Sequence, residues 1–340
     1  MTARNMQIVD LADMTSGQEA DVFVLMTAKE QLTTRDGKPY FRVTFRDARR
    51  EVSFPIWGDS PLAVDCRDAW IPGTHYKIRG IYRDTDYGPQ LDIHRIREVT
   101  EADADDGFSA TMCMAHSRFD PEKMFAETLE LVQSRIQDAA LRALVELIVS
   151  ENRDKLLTMP AARRNHHAYV GGLLEHTLSV AKTCVYLADK YNEYYPDMQP
   201  PLDSGMVVAG AILHDIGKLR ELEQGPAATE YTAAGHMVGH MLLGRDIVRE
   251  AAARLEADAD VTLDPETLLR LEHLVLSHQR LPEWGSPKPP MTPEAMIVHY
   301  ADDLDAKLHM MVSIIAEEGS PGPVTSTKNI LRQHVFKGFS

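Results

Sequence analysis

Six residues of this 340-residue chain are metal-capable and widely spaced: His176, His214, Asp215, His240, His278 and Asp302. They sit in the strings GGLLEHTLSV, AILHDIGKL, GHMVGHMLLG, LVLSHQ and IVHYADDLDAK. The separations are 38 residues from His176 to His214, 25 from Asp215 to His240, 38 to His278 and 24 to Asp302. Each step has room for a helix, a turn and part of the next helix. Each ligand can therefore come from a different helix and point into one bundle interior, where such sites are commonly built. Imidazole and carboxylate together suit divalent transition metals. Four histidines and two aspartates exceed the needs of one tetrahedral ion. A pair of ions about 3.5–4 Å apart uses them better, and such pairs serve phosphoryl chemistry. The ions lower the pKa of a shared water to about 7 and neutralise phosphate oxygens as charge builds.

A single histidine in an apolar helical stretch is more often a satisfied core residue. An isolated His-Asp dipeptide occurs by chance. The dipeptide His214-Asp215 within AGAILHDIGK, flanked by further histidines and aspartates at domain-scale intervals, is far more specific. Adjacent side chains on a helix point about 100° apart. A pair of ions beside the helix resolves that difficulty, because His214 takes one ion and the two oxygens of Asp215 span both. Gly217 reads as the helix end, where carbonyl dipoles favour cations.

The elements that position these residues follow from pattern. The first hundred residues alternate as strands do: Asp21–Lys29, Tyr40–Arg46 and Glu51–Trp57, then a short helix within 59–70, then Tyr76–Arg83 and Gln90–Arg97. Phe41, Val43 and Phe45 face one way while Arg42, Thr44 and Arg46 face the other. Three strands, a helix and two strands resemble the OB-fold, a Greek-key barrel that often binds single-stranded nucleic acid. Such binding combines cations along the backbone with aromatic platforms for bases. Tyr40, Arg42, Arg46, Trp57, Lys77 and Arg79 are the candidates, although alternating aromatics build any barrel core and arginine decorates any solvated face. EADADDGFSA (101–110) reads as a linker. Helices are expected from Asp120-Pro121, a cap and first-position proline, to about residue 316. The expected plan is 1–100 barrel, 101–119 linker, 120–160 connecting helices, 161–316 metal domain and 317–340 basic tail.

Composition sets outer bounds. The net charge of −15 falls almost wholly on residues 101–340, at −14, against −1 for residues 1–100. Eleven of the 14 histidines lie at or beyond His166. An acidic, histidine-rich body suits cations, and bound metals can offset its repulsion of phosphates. Three scattered cysteines, no apolar leader and no membrane-length run point to a cytoplasmic protein without disulfides or membrane contact.

The strings NHHAYVGGLLEHT (165–177), LHDIGK (213–218), EYT…GHMVGH (230–240), LSH (276–278), GSP (285–287) and DDLDAK (302–307) carry a family resemblance. H…HD…H…H…D in a helical domain resembles the HD superfamily of metal-dependent phosphohydrolases. The whole arrangement is similar to the bacterial 3′-to-5′ exoribonucleases of the YhaM type, which join an OB-fold to an HD domain. The resemblance spans about residues 20–315. It implies a two-domain chain, an all-β OB barrel followed by an all-α HD bundle. It implies that the six residues hold two divalent ions, Mn²⁺ first, with Co²⁺, Fe²⁺, Ni²⁺ and Mg²⁺ as alternatives, and that Asp215 bridges them. His214 and Asp215 would be catalytic, and Lys218 would contact the phosphate. It implies hydrolysis of single-stranded RNA, or single-stranded DNA, from the 3′ end to nucleoside monophosphates by attack of metal-bound hydroxide. His166, His167 and Asp305 are further candidates for substrate contact, with Asp305 alternatively orienting a ligand. The tail KNILRQHVFKGFS could pack on a neighbour in a homo-oligomer. Gln279 departs from the pattern, since many relatives carry a second histidine there.

Two other classes remain. A hydrolase of small nucleotides such as cyclic dinucleotides, nucleoside triphosphates or alarmones would share HDIGK, although a GYP tripeptide is absent. A non-catalytic nucleic-acid-binding regulator would bind metal and RNA without cutting. A nucleotide panel and an RNA-shortening assay separate the three.

Overall fold

The computed structural model describes residues 7–34, 36–85, 88–163, 166–224, 229–259, 261–317 and 322–339. Asn165, the first residue of one motif above, lies outside them, as do residues 318–321 near the start of the expected 317–340 tail. Two units separate near residue 116.

The first unit is an antiparallel sheet of β1 (Glu19–Thr33), β2 (Pro39–Arg46), β3 (Glu51–Trp57), β4 (His75–Thr85) and β5 (Gly88–Glu98), with the short helix α1 (Ala63–Asp68) between β3 and β4. The sheet order is β3-β2-β1-β4-β5. β1 is long enough to serve two partners: Glu19–Leu25 pair with β4, and Leu25–Thr33 pair with β2 after a register shift between Met26 and Ala28. Such an irregularity bends a strand and sharpens its twist. The sheet curls until its end strands β3 and β5 contact each other. This is the OB topology that the alternation predicts. Val22, Val24, Met26, Val43, Phe45, Val52, Phe54, Tyr76 and Ile78 point inward and are buried.

Residues 101–116 do not form the expected linker; they are folded onto this unit. Thr100 and Asp103 close a reciprocal capping box over a 3-10 turn. The Asp103 carboxylate, 2% exposed, accepts from Arg97 at 2.6 and 2.7 Å. The Phe108 ring lies 5.1 Å from that of Phe23 on β1. The acidic composition that suggested a solvated linker is instead a set of counterions for the basic outer face of the barrel.

The second unit is helical. Its elements are α2 (Pro121–Arg135), α3 (Ala139–Glu151), α4 (Arg153–Thr158), α5 (Gly172–Tyr194), α6 (Ser204–Leu213), α7 (Lys218–Glu221), α8 (Ala233–Met237), α9 (His240–Ala259), α10 (Pro265–Ser277) and α11 (Pro293–Glu317). A small hairpin of β6 (Leu222–Gln224) and β7 (Thr229–Tyr231) interrupts the helices, which the sequence reading missed. Asp120 caps α2 as expected, accepting from the Glu122 amide at 3.0 Å with Pro121 in the first turn. α6 is apolar on every side and fully buried from Met206 to Leu213. It forms the axis on which α5, α10 and α11 pack. A helix hydrophobic all round belongs at a core centre, and its last turn delivers His214 there. The tail folds back, with an isolated bridge between Val324 and Phe336 and a buried Val335.

Candidate metal centre

All six candidate residues converge in the helical unit, each from its own element. His176 sits in the second turn of α5, His214 at the end of α6 and Asp215 in the following turn. His240 opens α9, His278 closes α10, and Asp302 lies on α11. His176, His214 and His278 are fully buried, and Asp215 is 2% exposed.

The donors sort into two groups around Asp215. His176 Nε2 lies 3.6 Å and His214 Nε2 3.3 Å from Asp215 Oδ2. Asp302 Oδ1 stands 3.2 Å from His176 Nε2. On the other side, His240 Nε2 lies 3.4 Å and His278 Nε2 3.6 Å from Asp215 Oδ1. The two groups His176–His214–Asp215 and Asp215–His240–His278 share only the aspartate.

Proton positions make this cluster electron-rich. His214 Nδ1 donates to the carbonyl of Ala211 at 2.7 Å, and His278 Nδ1 to that of Val275 at 2.8 Å. His176 Nδ1 lies 2.7 Å from the Asp305 carboxylate, and His240 Nδ1 3.1 Å from Glu221. A neutral imidazole that donates through Nδ1 presents a lone pair at Nε2. With all four rings neutral, four lone pairs face carboxylate oxygens, and the Nε2 atoms of His176 and His214 stand 3.2 Å apart. Asp215 Oδ1 is buried without a hydrogen-bond partner. Donors about 2.0–2.2 Å from one ion lie about 3.0–3.6 Å from each other. The observed spacings fit that, so the residues suit two divalent cations.

The same carboxylates attract positive charge into this cluster, whether a proton or a cation. Burial works against a charge on His176, but Asp302 and Asp305 outweigh it and push its pKa up to about 9. Burial, helped by the neighbouring His214, holds His278 low, with Asp215 and Asp302 opposing. Burial also opposes the Lys218 ammonium, yet Asp215 Oδ2 at 2.6 Å holds it charged. Lys218 is therefore engaged with the shared carboxylate, at the first position of α7.

Two glycines explain the local sequence. A side-chain carbon on Gly172 would lie 2.0 Å from the His167 carbonyl oxygen, so the turn carrying the histidine pair folds tightly onto the start of α5. Gly217 does not end a helix in the left-handed region, as its place in the sequence suggested; its φ is −64°. A Cβ there would meet the His240 carbonyl oxygen at 1.8 Å and the Gly244 nitrogen at 2.5 Å. Its smallness lets the HD turn touch α9.

The remaining candidates divide. His166 places its ring 5.2 Å from that of His176, and burial together with Lys218 lowers its pKa to about 3. His167 is committed elsewhere. It is buried, stacks on His309 at 4.0 Å, and bonds Tyr169 and Asp305. Asp305 is likewise a scaffold rather than a free substrate contact, for its carboxylate is taken by His176, His167 and the Ser179 hydroxyl. His299 Nδ1 donates to the His278 carbonyl at 2.6 Å and fixes the end of α10. Glu221, Ser179 and Tyr169 went unnoticed in the sequence, where nothing local marks them.

On the barrel, Tyr40 and Trp57 stand opposite each other on β2 and β3 with rings 5.1 Å apart, and Trp57 is half exposed. Arg42 shares that outer face and is exposed. Arg46 is partly buried, its Nε without a hydrogen-bond partner. Lys77 and Arg79 are not free cations. Arg79 makes a paired contact with Asp21 at 2.7 Å on both nitrogens, and Lys77 reaches Asp106 at 2.5 Å.

A helical domain carrying this shared-aspartate site, together with an OB barrel, defines a two-domain HD phosphohydrolase. Residues 173–307 match the HD domain family. The chain is 31% identical over 322 residues to the 3′-5′ exoribonuclease YhaM of Bacillus subtilis (strain 168), covering 94% of this chain and 95% of that protein. It belongs to the YhaM exoribonuclease family. A solution NMR structure, the second OB-fold domain of replication protein A from Methanococcus maripaludis, covers 28% of this chain and 97% of its own at 12% identity and a TM-score of 0.22. No helix among the described residues is long and apolar enough to cross a membrane.

Proposed function

We propose that this protein shortens single-stranded RNA from its 3′ end, releasing nucleoside monophosphates, with two divalent cations, Mn²⁺ by preference, between the two histidine pairs. The observation that carries this reading is the Asp215 carboxylate, each oxygen facing its own pair of imidazole lone pairs. Two ions in such a site supply Lewis acidity toward a phosphodiester and lower the pKa of water. The chain's own residues do the rest. His176, His214 and Asp302 surround one subsite, and His240 and His278 the other. Lys218 offsets the charge of Asp215 and adds a cation beside an incoming phosphate. His166 lies next to His176, where it can meet a substrate oxygen.

Tyr40 and Trp57 give stacking surfaces on the barrel and Arg42 a cation beside them, a combination suited to unpaired bases. The same surface accepts single-stranded DNA. The protein works in the cytoplasm, and the folded basic tail is available for self-association.

The test is direct. Purified protein with Mn²⁺ and 5′-labelled single-stranded RNA should give progressively shorter labelled products, and the doubly substituted H214A/D215A protein should give none. Intact RNA with the wild type, or equal shortening by both, sinks the proposal. Retention of intact RNA on a metal-loaded wild type would favour a binding regulator.

A further inference from the structure

The four histidines differ in what fixes their rings, and the difference follows from where each sits on its helix. His214 and His278 end α6 and α10. The carbonyls of a last helical turn lack intrahelical partners, so Ala211 and Val275, three residues back, are free to accept their Nδ1 protons. His176 lies within α5, near its start, where carbonyls are already bonded along the helix, and it borrows Asp305 from α11. His240 is the first residue of α9 and has no preceding turn of its own helix. Its only Nδ1 partner among the described residues is Glu221.

Glu221 does more than touch that ring. One oxygen, Oε1, accepts from the His240 backbone amide at 3.0 Å and from its Nδ1 at 3.1 Å. The residue is 8% exposed. Its own carbonyl accepts from the Thr232 amide at 2.9 Å. Gly235 passes so close that a Cβ would lie 2.2 Å from that carbonyl oxygen. The carboxylate therefore holds both ends of His240, main chain and ring, from a rigid short helix that begins with Lys218. It lies on the Nδ1 side, away from Asp215, so it is not a ligand itself.

We infer that Glu221 is the positioning residue of the second cation subsite, formed by Asp215 Oδ1, His240 and His278. It sets that subsite's affinity without contributing to the first. The inference rests on the two-cation reading above. Outer carboxylates that orient a ligating histidine typically change metal affinity 10- to 100-fold when removed.

The experiment is calorimetric titration of chelator-treated, full-length protein with Mn²⁺, in parallel with nitrogen NMR of the histidine rings. Wild type should take up two ions. Glu221→Ala should bind the first as wild type does and the second about 10- to 100-fold more weakly, with the His240 ring losing its single Nδ1–H tautomer. Glu221→Gln, which keeps an acceptor oxygen but no charge, should recover part of the loss. Glu223→Ala, an exposed neighbour on β6, should match wild type. Equal weakening of both ions in Glu221→Ala and Glu221→Gln would make Glu221 merely structural and overturn the inference. So would two wild-type affinities in either variant. A wild type that takes up fewer than two ions would instead overturn the two-cation reading, and the inference with it.

Discussion

At the scale of single residues, Asp215 is the one side chain that neither half of the site can lose. Asp215→Asn keeps the shape but removes the charge that both subsites share. It should abolish uptake of both ions in a Mn²⁺ titration and lower the RNA-shortening rate by at least about 10³-fold, given the several kcal/mol that metal charge stabilisation supplies. Asp305→Ala should act on one side only. It frees the His176 ring and should weaken the first ion about 10- to 100-fold, leaving the subsite of His240 and His278 intact. Asp305 earns that role from geometry rather than from sequence, since its spacing of one turn from Asp302 is equally compatible with a substrate contact.

Elements decide why some of the site was legible and some was not. The six candidate ligands could be read because each is an unusual residue in an apolar helical string, and the strings recur at helix-pair intervals. Alternation along β2 and β3 likewise fixed which barrel side chains turn inward, and Phe45 is fully buried as that pattern requires. Contacts between elements left no comparable trace. Glu221 lies 19 residues before the histidine it holds. The acids that neutralise Lys77 and Arg79 come from β1 and from a segment whose composition mimics a linker. Gly217 looked like a helix stop because glycine commonly is one, whereas its reason is the approach of α9. Gly217→Ala should therefore push α7 and α9 apart. A loss of about 1–3 kcal/mol is expected from overpacking, measured by urea unfolding, together with weaker binding of the second ion. At the barrel cover, the Arg97 guanidinium holds the Asp103 carboxyl far below its usual range. A depressed carboxylate stabilises the fold above its unfolded pKa of about 3.9, and that contribution fades as pH falls toward the folded value. Protection of the Phe108 amide against exchange, relative to its intrinsic rate, should fall below about pH 4, and Asp103→Asn should remove that pH dependence.

For the whole molecule, the proposed function divides holding from cutting between the two units, and that division can be tested by substrate length. Replacing Trp57 by alanine should weaken binding of a long single strand by about 1–3 kcal/mol, the worth of one stacked base, as read by fluorescence anisotropy. Hydrolysis of a small chromogenic phosphodiester should be unaffected. The same inward crowding of lone pairs that prepares the helical unit for cations also makes it uncomfortable without them. Buried acceptors this close repel wherever no cation or proton lies between them, and nothing in the unfolded chain suffers that repulsion. The ions are then ligands of the folded state, and mass action turns their concentration into heat resistance, about 2.7 kcal/mol for each site at a hundredfold excess over its Kd. Chelation should lower the Tm of the helical unit by several degrees and leave the barrel's melting where it was. For such a protein the supply of metal governs how long the chain survives as well as how fast it works.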